Sequence, residues 1–141
     1  MSPINLLGIV GGLGPMSSAC LYELITSRPK AARDQDHIDM IISSHATTPD
    51  RTAFIMGEST DSPLPTMVSD ARRLEAYGAD AIVIACNTAH YFYPQVSAAV
   101  KLVVKSKPSK EMISAERRTM VRYRKKIVRA DRIPFIALTT T

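Results

Sequence analysis

Three short apolar runs, separated by segments of helical periodicity, constrain the fold of this chain more than any other feature. The runs at residues 4–10 and 79–85 have the length and composition of strands buried within a sheet, and the run at residues 39–43 predicts a further strand. Between them, one predicted helix begins near Met16 and ends at Pro29, and another covers about residues 65–77. Residues 102–104 allow a fourth strand. This order predicts an α/β fold, an open, mostly parallel sheet with helices on both faces.

Each predicted strand leads into a segment rich in glycine or polar residues. The three segments are Gly12-Leu13-Gly14, Pro49-Asp50-Arg51-Thr52 and Cys86-Asn87-Thr88. Asp50 is a suitable N-cap for a short helix over residues 51–56. Ligands of open parallel sheets bind beyond the carboxyl ends of the strands, so we expect the three segments to converge on one site.

Cys86 is the candidate reactive group of the chain. It ends a buried strand and precedes a predicted helix, where backbone N–H dipoles favour a thiolate. A small buried residue that completes the strand is the alternative interpretation. The polar Asn87 and Thr88 favour a reactive thiol, because such side chains can hold a carboxylate. The only other cysteine, Cys20, falls on the apolar face of the first predicted helix and is expected in the core.

His90, four residues after Cys86, allows a different enzyme: a small cysteine hydrolase or lyase in which the imidazole acts as base. A histidine that packs against or caps the first helical turn fits the same spacing equally well. His37 and His45 are interpreted as loop residues. Three scattered histidines predict no metal site.

Two further segments are candidates for binding an anion. Gly12-Leu13-Gly14 lacks the third glycine of a dinucleotide fingerprint and the Lys-Ser/Thr of a phosphate loop, so it predicts a tight turn whose N–H groups line a crevice. Arg51 either forms a solvent-exposed ion pair with Asp50 or binds a carboxylate through its guanidinium at the mouth of that crevice. Both interpretations of Arg51 fit the sequence.

Charge divides the chain sharply. Residues 1–100 carry six Lys/Arg and ten Asp/Glu, whereas residues 101–141 carry twelve and three, so a net charge of −4 is followed by one of +9. We interpret the basic segment as a solvated extension rather than a nucleic-acid surface, because only Tyr123 lies among its cationic residues as an aromatic ring that could stack on a base. The N-terminus predicts no signal peptide or membrane span, and two cysteines suit a reducing compartment, so we expect a cytoplasmic protein without a membrane partner.

Four motifs occur in an order and at intervals typical of one enzyme family. They are Gly-Ile-Val-Gly-Gly-Leu-Gly-Pro at residues 8–15, Arg-Asp-Gln-Asp-His at 33–37, Pro-Asp-Arg-Thr at 49–52 and Cys-Asn-Thr-Ala-His at 86–90. Together they resemble the aspartate/glutamate racemase family, and its aspartate racemases most. The resemblance covers about residues 4–100.

The resemblance implies cofactor-independent racemisation of aspartate or glutamate. In this chemistry a thiolate removes the α-proton and a second thiol returns a proton to the opposite face. By the motif match, Cys86 is the first thiol and Arg51 binds the side-chain carboxylate of the substrate. Asn87 and Thr88 bind its α-carboxylate, and Gly12-Leu13-Gly14 lines the same pocket. No cofactor and no metal are implied.

The basic residues depart from the family pattern. Members of the family carry a second α/β domain, and its Gly-Cys-Thr segment supplies the other thiol. The sequence after residue 102 does not resemble that domain. We therefore predict a racemase-like domain over residues 1–102 and an atypical basic tail over 103–141, from a truncation or an altered reading frame, with impaired activity. The cysteine hydrolase and a non-catalytic carboxylate- or nucleic-acid-binding fragment stay open as alternatives. The expected partner is a small amino-acid substrate, and two copies could pair as a homodimer.

Overall fold

The sheet predicted from the apolar runs is present. The structure, a computed structural model, describes the backbone of residues 4–105 and the side chains of residues 4–102. Its four strands are parallel, in the order β2-β1-β3-β4: β1 (Leu6–Gly11), β2 (Asp39–Ser44), β3 (Ala81–Ile84) and β4 (Val103–Lys105). The expectation of an open parallel α/β sheet is confirmed. The rest of the predicted basic tail, including Tyr123, lies outside the described residues.

Helices connect consecutive strands. Within the described residues they are α1 (Pro15–Ser27), α2 (Arg51–Ile55), α3 (Leu64–Tyr77) and α4 (Tyr93–Ala98), with 3₁₀ turns at Asp34–Asp36 and Thr88–Phe92. The Asp50 carboxylate accepts hydrogen bonds from the backbone N–H groups of Thr52 and Ala53 at 2.8 and 3.0 Å, which confirms it as the N-cap of α2. Gly78, in the left-handed conformation, ends α3.

The helices cover both faces of the sheet, as predicted. The Cα of Gly8 faces Leu74 of α3 and Ala79, which follows that helix, whereas the Cα of Gly11 faces Ser18 of α1. Because these two β1 positions are an odd number of residues apart, they point to opposite sides of the sheet. Helices α1 and α3 therefore lie on opposite faces.

The larger buried cluster lies on the α3 face. It joins the strands to α3, α4 and the 3₁₀ turn through residues that include Val10, Ile82, Ile84, Met67, Ala71, Leu74, Phe92 and Val96. On α1, Cys20 is 5% exposed and Leu24 is 8% exposed. The prediction that Cys20 is a core residue is confirmed. None of the helices within the described part of the chain is long and apolar enough to cross a bilayer.

Parallel pairing brings the carboxyl ends of three strands to one level. Gly11 is opposite Ser44 of β2, and Val10 is opposite Ile84 of β3. The Ala85 N–H extends this pairing with a 3.0 Å hydrogen bond to the Val10 carbonyl. The segments that follow β1, β2 and β3 therefore leave from neighbouring points on the same edge of the sheet.

Candidate active site

Cys86 lies just beyond β3 at this edge. Its side chain is half-buried and packs against the cluster on the α3 face, and neither cysteine forms a disulfide. A residue that merely completed the strand would be sealed in the core, as Ile84 is at 3% exposed. Cys86 instead retains access to solvent, which a thiol that exchanges protons with a substrate requires.

The glycine turn is shaped by a close approach of the backbone. Gly12 has φ +78, and a Cβ built on it would collide with the backbone of Ser44 and His45. The Gly12 N–H donates a 2.9 Å hydrogen bond to the Ser18 hydroxyl, so it does not face an anion as the sequence analysis expected. Leu13 is 2% exposed and belongs to the core cluster. The side chain of Leu13 is therefore turned away from solvent, and Gly12 contributes the shape of the turn rather than a donor.

Arg51 is the first residue of α2, and its guanidinium is held locally. Its Nη1 donates to the carbonyls of Thr48 and Pro49 at 3.2 and 3.1 Å. Its Nε is buried and has no hydrogen-bond partner among residues 4–102. Within the same residues Arg51 forms no ion pair with Asp50, whose carboxylate caps the helix instead. The Arg51 guanidinium is thus fixed by backbone carbonyls and has an Nε without a partner in the described part of the chain, which does not match a solvent-exposed ion pair with Asp50.

Helix α2 is docked against the segment that follows Cys86. The rings of Phe54 and Phe92 lie with centroids 5.8 Å apart, which joins α2 to the 3₁₀ turn Thr88–Phe92. Asn87 and Thr88 are exposed at the start of this turn. The segments bearing Arg51 and Cys86 are therefore neighbours, as expected from their positions after the strands.

His90 is engaged with the backbone of its own turn. Its Nδ1 donates to the Asn87 carbonyl at 3.2 Å, and burial lowers the pKa of the imidazole, while the Asn87 and Cys86 carbonyls oppose that shift. Among the described side chains, no hydrogen bond joins His90 to the Cys86 sulfur. This arrangement matches the packed or capping histidine, and it gives no support to the Cys–His nucleophile.

The lowered pKa of His90 predicts loss of stability in mild acid. Because the unfolded chain protonates His90 at its ordinary pKa of 6.5 and the folded chain protonates it only at lower pH, the unfolded state gains protons first. The free energy of unfolding should therefore fall as pH drops below about 6.5. Urea titrations at pH 7.5 and 5.5 should show a smaller decrease for His90→Gln than for the native chain. An equal decrease in both proteins would contradict the assignment, since His37 and His45 are common to both.

The structure adds a pair that the sequence analysis did not find. His45, interpreted as a loop residue, has its Nδ1 3.0 Å from Oδ2 of Asp70 on α3, and Asp70 is 1% exposed. The available signal was an acidic residue within the apolar stripe of Met67, Ala71 and Leu74, where a carboxylate needs a partner. No group of His, Cys, Asp and Glu within the described residues could hold a metal ion.

Two surface depressions lie away from the carboxyl edge of the sheet, one along the exposed side of α3 near Arg72 and one along α1 near Tyr22, and both are open to solvent. Neither includes Cys86 or Arg51. The candidate site therefore rests on the side chains at the carboxyl edge and not on either of these depressions.

Comparison with known protein families identifies the family of this chain. A model of the Asp/Glu/Hydantoin racemase family matches residues 10–115, more than half of the chain. The chain belongs to this family. The resemblance expected from the four motifs is confirmed, and the racemase-family match includes Arg51, Cys86, Asn87 and Thr88 and ends within the basic segment.

Solved structures of racemases share the fold. The Picrophilus torridus aspartate racemase is 32% identical with a TM-score of 0.61, and an aspartate racemase homologue from Pyrococcus horikoshii OT3 is 26% identical with a TM-score of 0.58. The matches cover 73% and 72% of this chain but 42% and 44% of those chains. A Yersinia pestis chain, 18% identical with a TM-score of 0.52, supports the fold alone. This racemase-family chain thus spans less than half the length of the structures it matches.

Proposed function

We propose that this chain supplies an acid/base thiol, Cys86, for cofactor-independent racemisation of aspartate or glutamate. The observation that carries the proposal is the position of a half-buried thiol at the carboxyl edge of the sheet, beside the turn at Gly12 and the docked helix α2. Membership of the racemase family supports the reaction class. The solved aspartate racemase of related fold supports the choice of a dicarboxylic amino acid.

The polar groups around Cys86 are proposed to orient the substrate. Asn87 and Thr88, exposed directly after the thiol, bind the α-carboxylate. Arg51 binds the side-chain carboxylate through its guanidinium group. The backbone of Leu13 and Gly14 is proposed to line the same pocket. A substrate held at both carboxylates presents its α-carbon in a fixed orientation.

The proposed chemical step is a proton transfer. The Cys86 thiolate takes the α-proton, the electron pair of the C–H bond stays on the α-carbon, and charge spreads into the adjacent carboxylate. The thiol formed exchanges its proton with water. Return of a solvent proton from the same sulfur restores the original enantiomer with an exchanged α-hydrogen.

One thiol serves one face of the substrate. Cys20, the second cysteine of the chain, is buried on α1 and on the opposite face of the sheet from Cys86. We therefore propose that this chain alone exchanges the α-proton of one enantiomer and racemises poorly. Trapping an acyl adduct on Cys86 would instead favour the cysteine hydrolase, because a thiol that acts as a base forms none.

Arg51→Gln should weaken binding of aspartate about ten- to a hundredfold, because a charge-assisted hydrogen bond contributes about 1.5–3 kcal/mol. Calorimetric titration of the purified chain with aspartate measures the effect. Arg72→Gln is the matched control: Arg72 is exposed on α3, and its Nε lies 3.4 Å from the Ala99 carbonyl. Equal affinities in the two variants would refute the assignment of Arg51.

We propose a cytoplasmic location, supported by two cysteines without a disulfide. The division into residues 1–102 and 103–141 is supported by the change in charge between residues 1–100 and 101–141. Pairing of two copies is proposed as a homodimer, which light scattering of the purified chain would test.

A further inference from the structure

The buried carboxylate of Asp70, at the edge that carries the site, has no role in the proposed chemistry. The Asp70 carboxylate lies 3.0 and 3.2 Å from Nδ1 of His45, and its side chain is 2% exposed. Arg73 approaches the same carboxylate at 3.7 Å from a side chain that is 74% exposed. A buried carboxylate is costly unless it is paired and hydrogen-bonded, so the closer partner, His45, is the main one. A carboxylate only accepts, so Nδ1 carries the hydrogen of this bond.

His45 connects the glycine turn to the segment of Arg51. Its N–H donates to the Gly11 carbonyl at 3.2 Å, and its backbone lies against Gly12. Its carbonyl accepts a 2.7 Å hydrogen bond from the Thr48 hydroxyl. The Thr48 carbonyl in turn accepts from Nη1 of Arg51 at 3.2 Å. The side chains of His45 and Arg51 are thus placed by one hydrogen-bonded loop.

His45 and Cys86 flank the glycine turn at the same level of the sheet. The pairing of Gly11 with Ser44 and of Val10 with Ile84 puts both residues just past the strand ends, one on each side of β1. Two strand spacings of about 4.8 Å separate their backbones by about 10 Å. Both side chains lie on the α3 face, because His45 contacts Asp70 of α3 and Cys86 packs against the cluster on that face. That separation suits an amino acid lying across the turn.

The second nitrogen of the ring is unused. The His45 side chain is 35% exposed, and no hydrogen bond to Nε2 is formed by the side chains or backbone described. With Nδ1 held by Asp70, a protonated ring presents Nε2–H outward as a donor. The charged groups that approach the ring and its loop are Asp70 and Arg73 from α3 and Arg51 from α2.

We propose that His45, in its imidazolium form and oriented by Asp70, binds the side-chain carboxylate of the substrate together with Arg51. This inference rests on the proposed function and deepens it, since it makes His45 a residue that selects dicarboxylic amino acids. Asp70 is a positioning residue that fixes the ring and balances its charge. The buried pair therefore serves substrate selection rather than stability alone.

Calorimetry on the 141-residue chain tests the proposal. His45→Gln should raise the Kd for aspartate tenfold or more, as expected for loss of one charge-assisted hydrogen bond. Asp70→Asn, which keeps the volume and an acceptor oxygen, should raise it several-fold. Urea unfolding and an amide NMR spectrum of each variant establish that it is folded before binding is measured.

The imidazole itself gives a signature that a structural role would not produce. In a chain labelled with ¹⁵N-histidine, aspartate should bring both ring nitrogens of His45 to chemical shifts of the protonated form. Asparagine, which has the same shape without the side-chain charge, should leave them unchanged. The His45 signals are assigned by their absence from the His45→Gln spectrum.

The outcomes separate this inference from the proposed function. If Arg51→Gln weakens aspartate binding while His45→Gln binds as the native chain does and the ring signals stay fixed, His45 is structural and the inference is overturned. If the native chain neither binds aspartate nor exchanges its α-proton, the proposed function itself fails. Weakened binding in His45→Gln together with aspartate-specific ring shifts would establish the assignment.

Discussion

Replacing Cys86 with serine is expected to stop incorporation of solvent deuterium at the α-carbon of aspartate or glutamate. A hydroxyl is a far weaker acid than a thiol, so serine cannot supply the base. Loss of a positioned acid/base group lowers a rate by about a hundred- to ten-thousandfold. The experiment follows the α-proton signal of each enantiomer separately by NMR in D₂O, with and without the purified chain.

Cys20→Ala is the matched control for this experiment. Cys20 is buried on α1, away from the carboxyl edge, so its variant should retain the exchange rate of the native chain. Exchange by the native chain should be confined to one enantiomer. Exchange of both enantiomers with complete racemisation would refute the picture in which Cys86 acts alone, and exchange that survives Cys86→Ser would remove Cys86 from the mechanism.

Gly12→Ala should cause a large loss of stability. The new Cβ would meet the backbone of His45 and Ser44, which cannot rotate away as a side chain could. Overpacking of this kind costs about 1–3 kcal/mol, and a left-handed backbone at a residue with a Cβ adds about 1–2 kcal/mol. The sum is a large fraction of the stability of about 5–15 kcal/mol that is typical of a domain.

Gly57→Ala separates the two contributions. Gly57 also has a positive φ, +75, but a Cβ there meets nothing within 4 Å. The free energy of unfolding of Gly57→Ala should therefore fall only by the cost of a left-handed backbone, about 1–2 kcal/mol. Urea unfolding of both variants measures the difference, and equal losses at Gly12 and Gly57 would show that the approach of the β2 loop to the turn is not tight.

Local interactions explain why so much of the fold was predictable. Strands β1 and β3, at residues 6–11 and 81–84, coincide with apolar runs, because strands in the interior of a parallel sheet need apolar side chains. Strand β2, at residues 39–44, lies at the edge of the sheet and has no buried residue, and its short apolar run at residues 40–42 was enough to predict it. Asp50 caps α2 as expected, because the capping contact spans only three residues. The sequence also identified Cys86 and Arg51 as site candidates, since residues after parallel strands gather at one edge.

Interactions between distant segments explain what was missed. His45 and Asp70 are 25 residues apart, and they meet only because α3 docks on the sheet beside the end of β2. The Gly12 N–H was expected to face an anion, but packing of α1 on β1 brings the Ser18 hydroxyl to it. His90 was ambiguous between a base and a packed residue until the fold turned its Nδ1 toward the Asn87 carbonyl.

The amino-acid order alone thus determined the parallel α/β architecture, the racemase family and the thiol at its edge, because hydrophobic periodicity, capping residues and short motifs act over a few positions. The tertiary structure decided which polar groups are already hydrogen-bonded within the scaffold. Hydrogen bonds that join separate elements depend on how helices dock, and docking depends on the whole buried surface rather than on any one segment.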